Sequence, residues 1–295
     1  MPYRVRTTET LLQSLERMFQ GRSKKDLRRL LSEERVQVNG SVVTDSKAAV
    51  NEGDSVDCVK FGKPVAIHPK VRLLFEDDHL LAVEKSVGIL TSDGVQGRDQ
   101  TVVDVLEKYL RGRGLRRRVC ACHRLDRDVS GVVLFAKDPR VAAKVRDYTR
   151  QHLKVRVYHA LVEGVPKDPQ GTIRTYLKDD DVTKVVRETS AEDGKLCVTH
   201  YRVLESGNGF STLEVQLDTG RKNQIRVQLA SIGHPIAGDS KYGAKTDPAR
   251  RIALHAKLLM VAHPVTGETL ELRAEVPKAF AKPPAARANQ DQRPK

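Results

Sequence analysis

Strand-forming runs with helices placed irregularly among them predict an α+β protein, built on a mixed, mainly antiparallel sheet and preceded by a small α/β module. Two observations carry this. Val155 to Glu163, Gly171 to Leu177, Leu196 to Leu204 and Phe210 to Leu217 follow one another across turns containing Gly, Asp or Asn, with connections short enough for antiparallel pairing. Nearer the N-terminus, Asn39-Gly40 divides two short alternating runs, the strongest short hairpin signal a sequence carries. The 295 residues suffice for one core-bearing domain of about 200 residues plus one small module.

The module is expected over residues 1–62. Leu11, Leu12 and Leu15 recur at helical spacing, and Ser23 is placed to cap a second helix with Leu27, Leu30 and Leu31 on one stripe. Lys24, Lys25, Arg28 and Arg29 fall largely opposite, as two like-charge i,i+4 pairs that either form a solvated face or meet an anionic partner. Asn51-Glu-Gly-Asp54 marks a further turn before Val56 and Cys58. Gly62, Lys63, Pro64 and Pro69 read as a linker, and the main domain is expected over residues 63–276.

In that domain Leu73 to Phe75 and Leu80 to Val83 flank Glu76-Asp-Asp78 as a hairpin, and Thr101 begins a helix through Leu110. Five arginines then fall between Arg111 and Arg118, Arg116, Arg117 and Arg118 among them, either a phosphate clamp or a solvated loop. His123 to Asp128 alternates charge around Leu125, and the run from Val132 to Phe135 reads as a buried strand, so a polar loop feeds a rigid core element. Asp126 and Asp128, beside Arg124 and Arg127, fit a simple ion-paired turn or a site where carboxylates are kept ionised. Asp138-Pro139 starts a helix with Val141, Val145 and Tyr148 inward. Thr219-Gly-Arg221 leads into a helix N-terminus suited to anions. From Pro277 the Pro-, Ala-, Lys- and Arg-rich chain is expected to be a disordered basic tail, 277–295.

A formal net charge of +14 makes a polyanion the expected partner, and without a basic amphipathic helix bearing bulky apolar residues that partner is nucleic acid rather than membrane. Tryptophan is absent and aromatics are 4%, so backbone contacts rather than base stacking should dominate. Cys120 and Cys122 are one residue apart with no second pair, which does not suit zinc, and no metal or cofactor is expected. No apolar leader or membrane span is read, and a cytoplasmic monomer is expected.

His-Arg-Leu-Asp126-Arg-Asp-x-Ser-Gly, its apolar strand and Ala136-Lys-Asp138 resemble the catalytic signature of the RluA/RluD-type RNA pseudouridine synthases. Three further stretches agree. They are Val155-Arg-Val-Tyr158-His-Ala-Leu-Val-Glu-Gly164, Thr219-Gly-Arg221 to Ala230, and Ile232-Gly-His-Pro to Gly243, followed by Arg251 to Ala256. Asn223 and Gln228 stand where histidines are common, and the first 62 residues resemble an S4-like RNA-binding module. The resemblance implies a catalytic domain of pseudouridine synthase type that detaches uracil from its sugar and rejoins it through carbon 5, without redox or an external group. It implies Asp126 as catalytic carboxylate, Tyr158 as wall for the freed base and Arg221 as the cation that holds Asp126. Arg124 is the candidate for filling the space left by a flipped base, and His123 is expected to help it bind RNA. Large-subunit ribosomal RNA is the expected substrate, with tRNA, or a role as a non-catalytic ribosome-assembly factor, as alternatives.

Overall fold

The computed structural model describes residues 3–21, 23–32, 34–58, 64–92, 100–147, 153–180 and 185–285. The N-terminal module holds β1 (Tyr3–Arg4), β2 (Glu9–Thr10), α1 (Leu11–Met18), α2 (Lys24–Ser32), β3 (Val36–Val38), β4 (Ser41–Val42), β5 (Ala49–Val50) and β6 (Ser55–Cys58). Thr10 and Gln13 form a capping box on α1, and Ser23 Oγ accepts from Asp26 N at 3.2 Å to cap α2 as expected. The apolar stripes then meet: Leu11 and Leu15 pack with Leu27, Leu30 and Leu31 over Val36 and Val56. Asn39 (φ 52°) and Gly40 (φ 83°) both take the left-handed backbone that a two-residue hairpin between β3 and β4 requires.

The main domain is organised on one twelve-stranded sheet. Its strands are β7 (Val65–His68), β8 (Val71–Glu76), β9 (Leu80–Lys85), β10 (Cys120–Ala121), β11 (Ser130–Ala136), β12 (Leu153–Glu163), β13 (Gln170–Asp179), β14 (Val186–Thr189), β15 (Lys195–Gly207), β16 (Phe210–Leu217), β17 (Leu254–Ala262) and β18 (Thr269–Arg273). They lie in the order β14-β13-β15-β16-β12-β17-β11-β9-β8-β7, with β10 beside β11 and β18 beside β17. Among the described pairs β11 and β17 alone run parallel, so the sheet is mixed but mainly antiparallel, as its short connections predict. β11 is buried at every position, which is why it reads as an unbroken apolar run. Gly131 lets it approach β17: a Cβ there would lie 2.3 Å from the Ala256 carbonyl oxygen, and its φ is +121°.

Among the described residues, three helices cover the sheet or its ends. α3 (Val102–Arg111) is capped by Thr101 and Asp104, α4 (Pro139–Asp147) begins at the Asp-Pro signal, and α5 (Gln224–Ser231) carries the site residues described below. Val145 and Ala142 form the buried side of α4, while Tyr148 lies outside the described residues.

Two expectations fail here. The tail does not begin at Pro277: Lys278–Phe280 form a short 3-10 turn and Phe280 is fully buried, with its carbonyl accepting from His159 Nε2 at 3.0 Å. One aromatic in a basic, proline-rich run is enough to dock it, and the described chain reaches residue 285. Arg29 also leaves the expected RNA-facing set. It is partly buried and turns toward Glu76 at 3.9 Å, where Lys137 and Arg113 each approach the same buried carboxylate at 2.8 Å. Glu76 thereby ties the module to β8, to the end of β11 and to the arginine-rich stretch.

Candidate active site

The loop between β10 and β11 is latched from below before any functional group is considered. Thr91 Oγ donates to Leu125 O at 2.8 Å and accepts from Leu125 N at 3.1 Å, while Gly88 N donates to Arg127 O at 2.8 Å. Lys85, fully buried, sends its ammonium to the carbonyls of Ser86, Ile89 and Arg127 at 3.0–3.1 Å. Burial pushes that ammonium down to about 8, with Asp128 and Asp126 acting against the shift. With Leu125 and Val129 also buried, the segment that carries Asp126 is held at both main chain and side chain.

Asp126 opens into a cavity of about 250 Å³, lined also by Tyr158, Arg156, Arg221, Arg226 and Leu254. Tyr158 comes from β12 at a register shift against β17, next to Ala256. It is buried, which raises its phenol above the usual range against the lowering field of Arg156. Among the described residues its hydroxyl has no recorded protein partner.

The cation on Asp126 is Arg226, not Arg221. Arg226 Nη1 meets Asp126 Oδ2 at 3.1 Å, while its Nε and Nη2 grip Asp239 at 2.6 and 2.8 Å in a bidentate pair. Burial alone would lower the guanidinium's pKa, but the hydrogen bonds and charge of Asp239, joined by Asp126, outweigh it and hold the group above its ordinary value. Arg221 lines the same cavity, is exposed, and makes no ion pair with Asp126 among the described residues. The reason is where α5 starts. Its first helical residue is Gln224, so Arg221 lies in the preceding turn and Arg226 on the inward first turn.

Amides assemble that turn. Gln224 Oε1 accepts from Arg221 N at 3.0 Å and from Thr219 Oγ at 2.9 Å, and its Nε2 donates to Val198 O at 3.1 Å. Asn223, left-handed at φ 53°, accepts from Arg226 Nη1 at 3.0 Å and donates to the Tyr242 hydroxyl at 2.9 Å. Gln228 is fully buried and bridges Thr199, Thr175 and Cys197, so it braces α5 against the sheet and does not face the cavity.

His123 is not a phosphate-binding cation. Its Nε2 accepts from Leu134 N at 3.1 Å, and burial, helped by Arg156, pushes its pKa down to about 4, so the ring is neutral at pH 7. Arg124 is exposed at the cavity. Arg116, Arg117 and Arg118 are exposed in an irregular stretch ahead of buried Val119, and Lys25 and Arg28 are exposed on α2. Lys24, also exposed, pairs with Glu16 at 3.1 Å. Cys122 is buried, which raises its thiol to about 12, and among the described residues no three His, Cys, Asp or Glu side chains come together as a metal site. No described helix is long and apolar enough to cross a membrane.

Sequence reasoning missed Arg226, Asp239, Arg156 and Lys85. The signal available was composition: an arginine and an aspartate in two of the matching stretches, and a lone lysine closing the apolar run of β9.

Comparison with known proteins gives the family of the chain. The profile of the RNA pseudouridylate synthase family matches residues 79–231, and that of the S4 domain matches residues 10–56. The protein named uncharacterized RNA pseudouridine synthase YhcT of Bacillus subtilis (strain 168) is 33% identical over 219 residues, 72% of either chain. Ribosomal large subunit pseudouridine synthase D of Pasteurella multocida (strain Pm70) is 30% identical over 247 residues, 82% of this chain and 75% of its own. Among solved structures, human RNA pseudouridylate synthase domain containing 4 aligns with a TM-score of 0.57 at 26% identity, over 70% of this chain and 89% of that one. The matched span contains the Asp126 loop, Tyr158 and the start of α5, and the chain belongs to the RNA pseudouridine synthases, isomerases acting on RNA, with an S4 domain at its N-terminal end.

Proposed function

We propose that this enzyme isomerises specific uridines of large-subunit ribosomal RNA, with Asp126 as its catalytic carboxylate. The observation that carries the assignment is the asymmetric hold on Asp126. Arg226 binds Oδ2 at 3.1 Å, among the described residues Oδ1 makes no hydrogen bond or ion pair, and Asp126 lines the cavity. A carboxylate held in place by a fixed guanidinium, with one oxygen left over, suits attack on the ribose or removal of a proton from it. Tyr158 forms the wall against which freed uracil turns, and its hydroxyl is available to that base. Because the target base must leave its stack, Arg124 at the cavity rim is placed to fill the vacated space.

The rRNA reading rests on the names of the relatives given above and on the S4 domain. Lys25 and Arg28 on α2 and Arg116 to Arg118 supply exposed positive charge for backbone phosphates. The test is pseudouridine mapping of total RNA from a strain lacking the gene. Loss at particular large-subunit positions, restored by the wild-type gene but not by Asp126→Asn, is expected. Loss confined to tRNA would replace the substrate, and no loss anywhere would overturn the reading.

A further inference from the structure

Among the described residues, one cation of the cavity has no carboxylate within ion-pair distance. Arg226 is matched by Asp126 and Asp239, and Lys222 by Asp179 at 2.6 Å. Arg156 is different. Its Nη2 donates to the carbonyls of Leu217 and Asp218 at 3.3 and 3.0 Å, and among the described residues no carboxylate lies within ion-pair distance. The Asp218 side chain turns instead to His200 at 2.9 Å. Nη1 of Arg156 lies over Gly220, where an added Cβ would sit 2.3 Å from it, so the glycine provides the space the guanidinium occupies. Burial lowers the pKa of this arginine, against the opposing fields of Tyr158 and Asp218.

Its placement selects the anion. Arg156 and Tyr158 lie two residues apart on β12, so they project to the same face, and the cavity around them is partly apolar, with Leu217, Ile225 and Leu254 in its lining. Exposed Arg124 and Arg221 are better placed for phosphates. A cavity of about 250 Å³ is ample for a single pyrimidine ring, since one of ~150 Å³ holds benzene.

We propose that Arg156 donates to a carbonyl oxygen of the departing uracil and stabilises the negative charge that the base acquires. The inference rests on the pocket being the isomerisation site. When the C1′–N1 bond breaks, its electron pair stays with the base and spreads over N1, O2 and O4. The ring then turns, C5 forms the new bond to C1′, the C5 proton is lost and N1 ends protonated. Nothing is oxidised or reduced. A fixed donor aimed at charge that develops only in this step raises kcat rather than affinity.

The experiment uses the full chain and total RNA from a gene-deletion strain, labelled either with uridine tritiated at C5 or with 5-fluorouridine. Under single turnover, Arg156→Gln should release tritium about 10²–10³-fold more slowly, the loss typical of removing one such donor. Its RNA affinity should stay within about twofold of wild type, and Arg156→Lys should recover part of the rate. Fluorine withdraws electrons from the ring and makes the base a better leaving group. Conversion of 5-fluorouridine, followed by nucleoside mass spectrometry, should therefore be at least tenfold less sensitive to Arg156→Gln. Gly220→Ala, which displaces the guanidinium without removing it, should slow tritium release in the same direction. An equal loss on both substrates, a defect confined to RNA affinity and its salt dependence, or a wild-type rate in a folded Arg156→Gln protein would overturn the inference. A wild-type enzyme that released no tritium would instead overturn the proposed function.

Discussion

Replacing Arg226 by Met separates it from Arg221 in a way that requires no substrate. Asp239 is 1% exposed, and both its oxygens are bound by the Arg226 fork. Met fills much of the same volume but leaves that carboxylate buried without a cation, which costs about 3–5 kcal/mol for a broken buried pair. For a catalytic domain of this size each kcal/mol moves Tm by about 2–4 °C, so a drop of about 6–20 °C is expected. Arg221→Met, at an exposed position with no ion pair among the described residues, should move Tm by less than about 2 °C. Adding Asp239→Asn to Arg226→Met should recover part of the loss, because the amide removes the unpaired charge. Calorimetry on the four proteins decides it. A Tm for Arg226→Met within about 2 °C of wild type, or a larger loss for Arg221→Met, would refute the placement of the clamp.

Three further outcomes follow from particular contacts. Phe280→Ala should destabilise by about 3–5 kcal/mol, since a fully buried ring is removed, and a midpoint unchanged in denaturant would return the last residues to a disordered tail. His123 and His255 are both held by burial at about 4 instead of 6.5, so as pH falls the unfolded chain takes up their protons first. Stability present above about pH 6.5 is then lost toward pH 4, by about 3 kcal/mol for each histidine, and a flat stability profile across that window would contradict the assignment. Lys25→Ala with Arg28→Ala should lower the log–log salt slope of RNA binding by about 1.4–1.8, and an unchanged slope in filter binding would remove α2 from the RNA surface.

What was legible in the sequence was local. The Asn39-Gly40 turn, the Thr101 cap, the Asp138-Pro139 start and the strand run from Val155 to Glu163 each depend on neighbours along the chain, and each appears where its residues place it. The loop carrying Asp126 and the strand carrying Tyr158 were therefore visible, and both side chains line one cavity. The clamp was not, because choosing between Arg221 and Arg226 requires knowing that α5 starts only at Gln224, after a left-handed Asn223. The same holds for His123, whose neutrality comes from burial with Arg156 nearby, and for Arg29, whose partner Glu76 lies on another domain. Lys85 follows four buried apolar residues and a partly buried glutamate, a position where a charge is costly unless several carbonyls converge on it. That convergence exists only once the Asp126 loop is folded.

Tritium release from carbon 5 of uridine in RNA, measured for Asp126→Asn, tests the central assignment most directly. The amide keeps the shape and can still accept from Arg226, but it can neither attack the sugar nor take its proton. Release should fall by more than the ~10²–10⁴ typical of losing a general base if Asp126 is the nucleophile, and by about that much if it is the base. RNA binding should be nearly unchanged, because removing a negative charge from a basic site does not weaken its attraction for phosphate. A folded, RNA-binding Asp126→Asn enzyme that releases tritium at the wild-type rate would contradict the account.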